Sequence, residues 1–271
     1  MVDKMEKKIL VCYLITKFDE KNSLKNFLKK YQEMQSGINH ELLICYKFLN
    51  QKEITIIRNI LKDLNFIEYI DQHIINDFDI GSYGRISKNF PSRLIFFLNG
   101  NSFPNCHNWL KIIADNYEEN SIIGTSASNL SLYSSLKLKK FYKFFTYFFR
   151  LYKYKKKFDK FPNPHLRTNG FLINSDDFNH YMIDKNINNK EDSWAIESGK
   201  KSLTNFFKNK KFNIYVVNSK GNKFSEIDWK LSETFNYHKQ DKYIISDNQI
   251  RKYLDLDDVK KKISQLETWG N

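Results

Sequence analysis

The run KILVCYLI, residues 8–15, decides the fold class. After Lys8 it carries no charged side chain, and a continuous apolar run of this length suits a strand buried on both faces, the habit of parallel sheets covered by helices. Working outward, residues 20–35 are polar and helix-compatible, HELLICY (40–46) repeats the strand signal and residues 53–64 repeat the helix. A third short strand falls at 66–70 or 73–75, and RLIFFL (93–98) is the strongest strand of the chain. Strand and helix in alternation predict an α/β protein with a doubly wound sheet. Ligands of such sheets bind outside the carboxyl ends of the strands, so the loops after Ile15, Tyr46 and Ile75 are the first places to look for function.

Composition narrows the class. At 271 residues, 41% hydrophobic and 16% aromatic, the chain has ample material for a core. Cys12, Cys45 and Cys106 show no paired spacing and read as free thiols of a reducing compartment, which excludes a disulfide scaffold and a zinc cluster. The basic, apolar start lacks a small-residue cleavage site, and no run approaches the roughly 18 apolar residues of a membrane span. A cytoplasmic protein is the expectation. The net charge of +13 calls for an anionic partner: nucleic acid, a lipid surface or a phosphate-bearing substrate.

Much of that charge sits in 137–160, where Asp159 is the one acid. Leu138, Phe141, Phe145, Phe148 and Tyr152 recur there at helical spacing, and Phe144 and Phe149 widen the stripe. Three readings stand for this segment: a core-packed helical hairpin, a nucleic-acid surface, and an interfacial helix on anionic lipid. The remaining helices and strands are predicted at 104–117 (helix), 121–128 (strand), 170–173 (strand) and 212–218 (strand), with a final helix after Asp247, which reads as its N-cap.

Two stretches carry chemistry. In NDFDIGSYGRISKNF (76–90), Asp77 and Asp79 with Gly81 and Gly84 make a turn with close backbone access, ahead of Arg85 and Lys88; it reads either as a donor-binding turn or as ordinary turn chemistry. In FPNPHLRTNGFLI (161–173), prolines precede a short strand, a loop-like interval follows, and KEDSWAIESGKKSLT (190–204) opens a helix. Asp192 reads as its cap or as a general base, with Glu197 the second candidate base. His165, Arg167 and Asn169 are candidates for acceptor or phosphate contacts, arginine being suited by its fork of donors.

The 161–173 stretch, ESGKKSLT, the Trp229 region and ISDNQIRKY together resemble bacterial glycosyltransferases of the GT-A fold, family 2 type, from surface-polysaccharide loci. The resemblance is loose over nearly the whole chain and specific over 161–253. It implies a single GT-A-like domain: a mixed, mainly parallel sheet flanked by helices, with residues 1–130 as the nucleotide-sugar half, 131–160 as a basic aromatic insertion and 161–271 as the acceptor half and tail. It further implies transfer of a sugar, with inversion, from a nucleotide-sugar donor to a hydroxyl of a surface glycan or lipid-linked acceptor, at the inner face of the plasma membrane. Asp192 would be the base, and Asp77, Asp79, Arg85, Asn99 and Asn101 would serve the donor. The chain departs from the pattern where the acidic DxD pair should follow the 93–98 strand: Asn99-Gly100-Asn101 stands there, and amide oxygens hold Mg²⁺ or Mn²⁺ weakly. A catalytically silent GT-A-like scaffold and a nucleic-acid-binding protein are the alternatives; no recognition motif supports the latter, and nucleic acid is not an expected partner.

Overall fold

The computed structural model describes residues 9–137 and 144–270. The first half runs β1 (Ile9–Thr16), α1 (Ser23–Glu33), β2 (Glu41–Lys47), α2 (Gln51–Ile60), β3 (Ile67–Asp71), α3 (Phe78–Asn89), β4 (Leu94–Leu98), β5 (Phe103–Pro104), α4 (Trp109–Asp115), β6 (Ser121–Gly124) and β7 (Ala127–Ser128). Then come α5 (Phe144–Lys157), β8 (His165–Leu166), β9 (Phe171–Asn174), α6 (Ser175–Met182), α7 (Lys190–Ser198), α8 (Leu203–Asn209), β10 (Asn213–Val217), β11 (Lys223–Phe224), a 3-10 helix (Glu226–Ser232), β12 (Ile245–Ser246), α9 (Asn248–Leu254) and α10 (Asp258–Trp269). One sheet holds eight strands in the order β11-β10-β6-β9-β4-β1-β2-β3. Its pairs are parallel except around β9, antiparallel to both neighbours, and at the β11 edge. This is the mixed, mainly parallel sheet flanked by helices that the resemblance implied.

The apolar run that opens the chain explains the layering. Along β1, Leu10, Cys12 and Leu14 join Ile80, Tyr83 and Ile86 of α3 and Phe178 and Tyr181 of α6 on one face. Ile9, Val11, Tyr13 and Ile15 join Phe27 of α1, Ile54 and Ile57 of α2, and Trp109 of α4 on the other. Alternation of side chains along a strand makes both faces apolar only when every residue is. Cys12 and Cys45 are buried free thiols, while Cys106 is only partly buried.

Four expectations need correction. Pro104 lies in β5, paired with β12, and the helix starts only at Trp109, because Asn105 N–H is taken by Ile244 O at 2.8 Å. The interval after 173 is no loop but α6, capped by the Asn174 side chain and driven by burial of Phe178 and Tyr181. The helix near Asp192 is capped by Asn189 instead, whose side chain accepts from the Asp192 N–H. It also ends at Ser198, where a Cβ on Gly199 would lie 2.5 Å from Ala195 O, and restarts as α8 under a Ser202 cap. Residues 138–143, with Leu138 and Phe141 of the aromatic stripe, lie outside the described residues. The described part is a single helix whose rings at 145, 148, 149 and 152 face outward, so the core-packed reading fails for it. No helix among the described residues is long and apolar enough to cross a membrane.

Candidate active site

A cleft of about 320 Å³ opens at the carboxyl ends of β1, β2 and β4, the place where sheets of this kind bind ligands. Asp19 enters from the loop after β1, Asp79 from the first turn of α3, and Asn99 and Asn101 from the loop after β4. Phe18 and Phe48 line it edge to face, ring centres 6.0 Å apart, with Lys17 Nζ 5.1 and 5.7 Å from them. Phe48 and Phe78, also lining the cleft, hold φ values of 58° and 57°. Left-handed backbone at bulky residues persists only where the surroundings enforce it, and such strain concentrates at functional sites. A larger cavity of about 590 Å³ lies between α3 and 179–188, lined by Arg85, Lys88, Met182 and Lys185 among others. Asp19, Asp79 and Asn99 line the strand-end cleft and not this cavity, so the cleft at the carboxyl ends of the strands is the better candidate.

The loop after β4 shows what the two asparagines do. Asn99 Oδ1 accepts from Asn101 N–H at 3.2 Å and Ser102 Oγ at 2.7 Å; Asn101 Oδ1 accepts from Glu20 N–H and Ser23 Oγ. Both amide oxygens are thereby committed to shaping the loop. Between them Gly100 leaves room, since a Cβ there would lie 2.0 Å from the Asp19 carboxylate, and its carbonyl accepts from the Tyr13 hydroxyl at 2.6 Å. That close approach buries Asp19, and burial first, then the charges of Asp79 and Glu20, push its pKa up to about 6 against the pull of the Thr16 N–H, which donates to Oδ2 at 2.6 Å. Asp79 is also raised, by burial above all and by Glu197, while Lys47 and an Asn99 hydrogen bond pull it down.

A raised acid tests the functional reading of Asp19. Its folded pKa exceeds its ordinary value, so the folded protein holds a proton the unfolded chain releases between about pH 4 and 6, and stability rises as pH falls through that window. Above it the ionised carboxylate costs about 2–3 kcal/mol. Asp19→Asn keeps an acceptor for Thr16 and is expected to raise the Tm near pH 7.5 by several degrees, at about 2–4 °C per kcal/mol. A thermal melt series from pH 5 to 8 checks it; an unchanged or lower Tm would show that the carboxylate serves the fold.

Asp77 and Arg85 are brought together, but with each other. Arg85 donates to Asp71 at 2.8 and 2.6 Å and to Asp77 at 2.6 and 3.2 Å. The buried Lys47 pairs with Asp77 and donates to Phe78 O at 2.6 Å, and Ser82 Oγ donates to Asp71 at 2.6 Å. Burial alone would raise both acids; these donors overcome it and hold Asp71 and Asp77 below the usual carboxylate range. The cluster ties the ends of β2 and β3 to the start of α3, which fixes where Asp79 points.

On the far side, the 167–170 loop crosses the ends of β4 and β6. Gly170 permits it: its φ is +71°, a Cβ would lie 2.3 Å from Thr125 Oγ1, and its N–H donates to Phe97 O at 2.9 Å. Asn169 Oδ1 then accepts the Asn99 N–H, and its Nδ2 donates to Ser102 and to Asp247. Arg167 pairs with Asp247 at 2.8 Å and lies over the Phe235 ring. Asp247 is the buried N-cap of α9, accepting from Gln249 and Ile250 N–H. His165 is buried, with Nδ1 donating to Asn163 O at 2.7 Å, and burial holds its pKa low despite Glu197. Asn169 and Arg167 thus hold the loop against Asn99, Ser102 and Asp247.

The two candidate bases end up on different sides of α7. Glu197 accepts the Thr168 hydroxyl at 2.5 Å and the Thr168 N–H at 3.4 Å, both through Oε2, and its charge reaches Asp79 and His165. Asp192, five residues earlier and so about 140° around the helix, pairs with Lys157 at 2.7 Å and accepts from Asn188 N–H and Asn189 Nδ2. Burial opposes that arrangement, but the hydrogen bond and charge of Lys157 win and keep Asp192 below the ordinary carboxylate value. Asp19, Lys47, Thr168 and the Phe18/Phe48 pair were not singled out from sequence. The loops after β1 and β2 were, which is the signal that could have found the first two.

No family model and no curated protein matches the chain. Among solved structures it is similar to GalNAc-T7 with UDP, GalNAc and Mn²⁺, at 9% identity over 45% of this chain and 23% of that one, TM-score 0.35. S. aureus TarS gives 12% identity over 43% and 21%, TM-score 0.34. A nucleotidyl transferase from Methanothermobacter thermautotroptrophicus gives 7% identity over 75% and 96%, TM-score 0.41. The chain spans under a quarter of the length of the first two. Overlaps of this size bear on neither reaction nor ligand, and the functional reading rests on the cleft.

Proposed function

We propose that this chain is a nucleotide-sugar-dependent glycosyltransferase in which Glu197 is the base and Asp192 a structural residue. The observation that carries the reading is that Asp19 and Asp79 both line an aromatic-lined cleft at the end of β4, with Glu197 near enough for its charge to raise Asp79. A nucleobase has a stacking surface in Phe18 and Phe48, and the ribose hydroxyls have acceptors in Asp19 and Asp79. An acceptor hydroxyl placed between Glu197 and the sugar would lose its proton to Oε1 or Oε2 as it attacks the anomeric carbon, while the diphosphate leaves; inversion follows from that single displacement. The acceptor class that the sequence resemblance implies is a glycan or lipid-linked hydroxyl. Calorimetric titration against UDP-, GDP-, CMP- and dTDP-sugars tests the reading. Binding of one of them on the order of micromolar is expected, and failure of all four would overturn it. Binding without transfer to any acceptor would favour the silent scaffold.

Metal dependence follows from the same geometry. Among the described residues no group of three or more His, Cys, Asp or Glu side chains is arranged to hold a metal ion, and the oxygens of Asn99 and Asn101 are committed. A divalent cation on the donor diphosphate would compete with the ribose hydroxyls for Asp19 and Asp79, taking whichever carboxylate the ribose leaves free, and would supply charge neutralisation to the leaving group. EDTA is therefore expected to weaken donor binding by less than about tenfold. Complete loss, restored by micromolar Mn²⁺, would contradict this.

A further inference from the structure

The described part of the basic aromatic segment is a 14-residue helix, α5, that the rest of the fold covers only in part. Phe145, Phe149, Tyr152 and Phe148 are exposed by 86, 72, 60 and 48%. At 100° per residue these four side chains span about 100° of the helix surface, opposite Tyr154. Tyr154 is buried, packs on the buried Phe158, and takes a hydrogen bond from Arg150. One edge of α5 is thus fastened to the body while its aromatic stripe is turned away.

The fastening runs to α7. Lys153 pairs with Glu191 at 2.6 Å and Lys157 with Asp192 at 2.7 Å; Lys200 N–H donates to Lys157 O at 2.9 Å, and Phe158 bridges Gly199. Charge is arranged around the stripe: Lys155 and Lys156 are exposed at its carboxyl end, with Lys156 Nζ 4.3 Å from the Tyr152 ring, and no acid occurs from 144 to 158. An uninterrupted ring stripe with cations at its margin is complementary to an anionic headgroup layer, where rings enter the acyl boundary and lysines stay with phosphate.

We propose that α5 is an interfacial helix that seats this protein on an anionic lipid bilayer, with Phe145, Phe148, Phe149 and Tyr152 entering the headgroup boundary. The docking stands on α5 alone. Only its consequence, that the Glu197 helix is held next to a membrane-borne acceptor, rests on the glycosyltransferase reading.

The test is cosedimentation of the full chain with phosphatidylcholine vesicles, with and without about 30% phosphatidylglycerol. Binding is expected to be at least about tenfold stronger with the anionic lipid, and to survive in part at about 0.5 M salt, because buried rings persist when charge is screened. Phe145→Ser with Phe149→Ser should cut binding by about tenfold or more at both salt concentrations, leaving thermal stability and nucleotide-sugar titration unchanged, since both rings face solvent. Lys155→Glu with Lys156→Glu should act mainly at low salt. Failure of the wild type to bind either vesicle, or a phenylalanine variant that binds as well as wild type, overturns the proposal. So does a phenylalanine variant that only turns a dimer into a monomer, or one that only loses nucleic-acid binding. Vesicle binding without nucleotide-sugar binding would leave the docking standing and remove the transferase reading; the converse would do the reverse.

Discussion

Glu197→Gln is expected to lower kcat by about two to four orders of magnitude, the range for losing a positioned general base, while donor affinity and Tm stay near their original values. The amide keeps an oxygen for the Thr168 hydroxyl and N–H, so the contact that holds the side chain survives. What disappears is the charge and the proton acceptor. Loss of that charge also removes one of the influences that raise Asp79, so the pH profile of donor binding should move toward lower pH in the variant. Asp192→Asn is the control on the same helix. Its carboxylate is held by Lys157 and the Asn188–Asn189 backbone and side chain, and turnover should change by less than about threefold. If Asp192→Asn abolishes turnover and Glu197→Gln does not, the base is Asp192 and the proposed assignment falls.

Lys47→Met should destabilise the fold by about 3–5 kcal/mol, the cost of leaving a buried charge without its partner. Lys47 is 1% exposed and sits against Asp77, also buried, with Asp71 3.9 Å away. Its removal takes the buried ammonium from two ionised carboxylates and leaves them to Arg85 and to the weaker contacts of Ser82 and His73. The free energy of chemical unfolding measures the effect, and Asp77→Asn added to Lys47→Met should recover part of it, because the unpaired charge is then gone. A change below about 1 kcal/mol would mean that water reaches the cluster. Asp71 and Asp77 have folded pKa values below their ordinary ones, so the stability they contribute is fully present above about pH 4 and is lost as pH falls through the folded values. Acid unfolding of the wild type should therefore be steep below about pH 4, opposite in sign to the contribution of Asp19 between pH 4 and 6.

Local composition was enough to determine the layers. Apolar runs at 9–15, 42–46 and 94–98 bury both faces of a strand wherever they pair, and the polar segments between them have nowhere to go but outside as helices. The break at Gly199 and the helix at 175–182 were harder to read, because one depends on a close pass by Ala195 O that only a residue without a Cβ can make and the other on what Phe178 and Tyr181 pack against in the core. Likewise the sequence marked segments that the structure brings to the strand ends: the turn with Asp79 and the asparagines after β4 line the cleft, and the helix bearing Glu197 lies beside it. It could not distinguish Asp192 from Glu197, or Asp77 from Asp79. Those pairs are alike in residue type and close in sequence, and a carboxylate's role depends on what lies across from it in space. Lys157 comes from 35 positions away to occupy Asp192, and Lys47 comes from 30 positions away to occupy Asp77. Asp79 is left lining the cleft, and Glu197, held by Thr168 of the 167–170 loop, lies near enough for its charge to reach Asp79. Sequence by itself determined which segments pack and which loops lie at the strand ends; only the tertiary structure decided which acids are neutralised by a distant cation and which remain at the cleft, because ion pairing in a buried setting depends on distances of a few ångströms that no local pattern encodes.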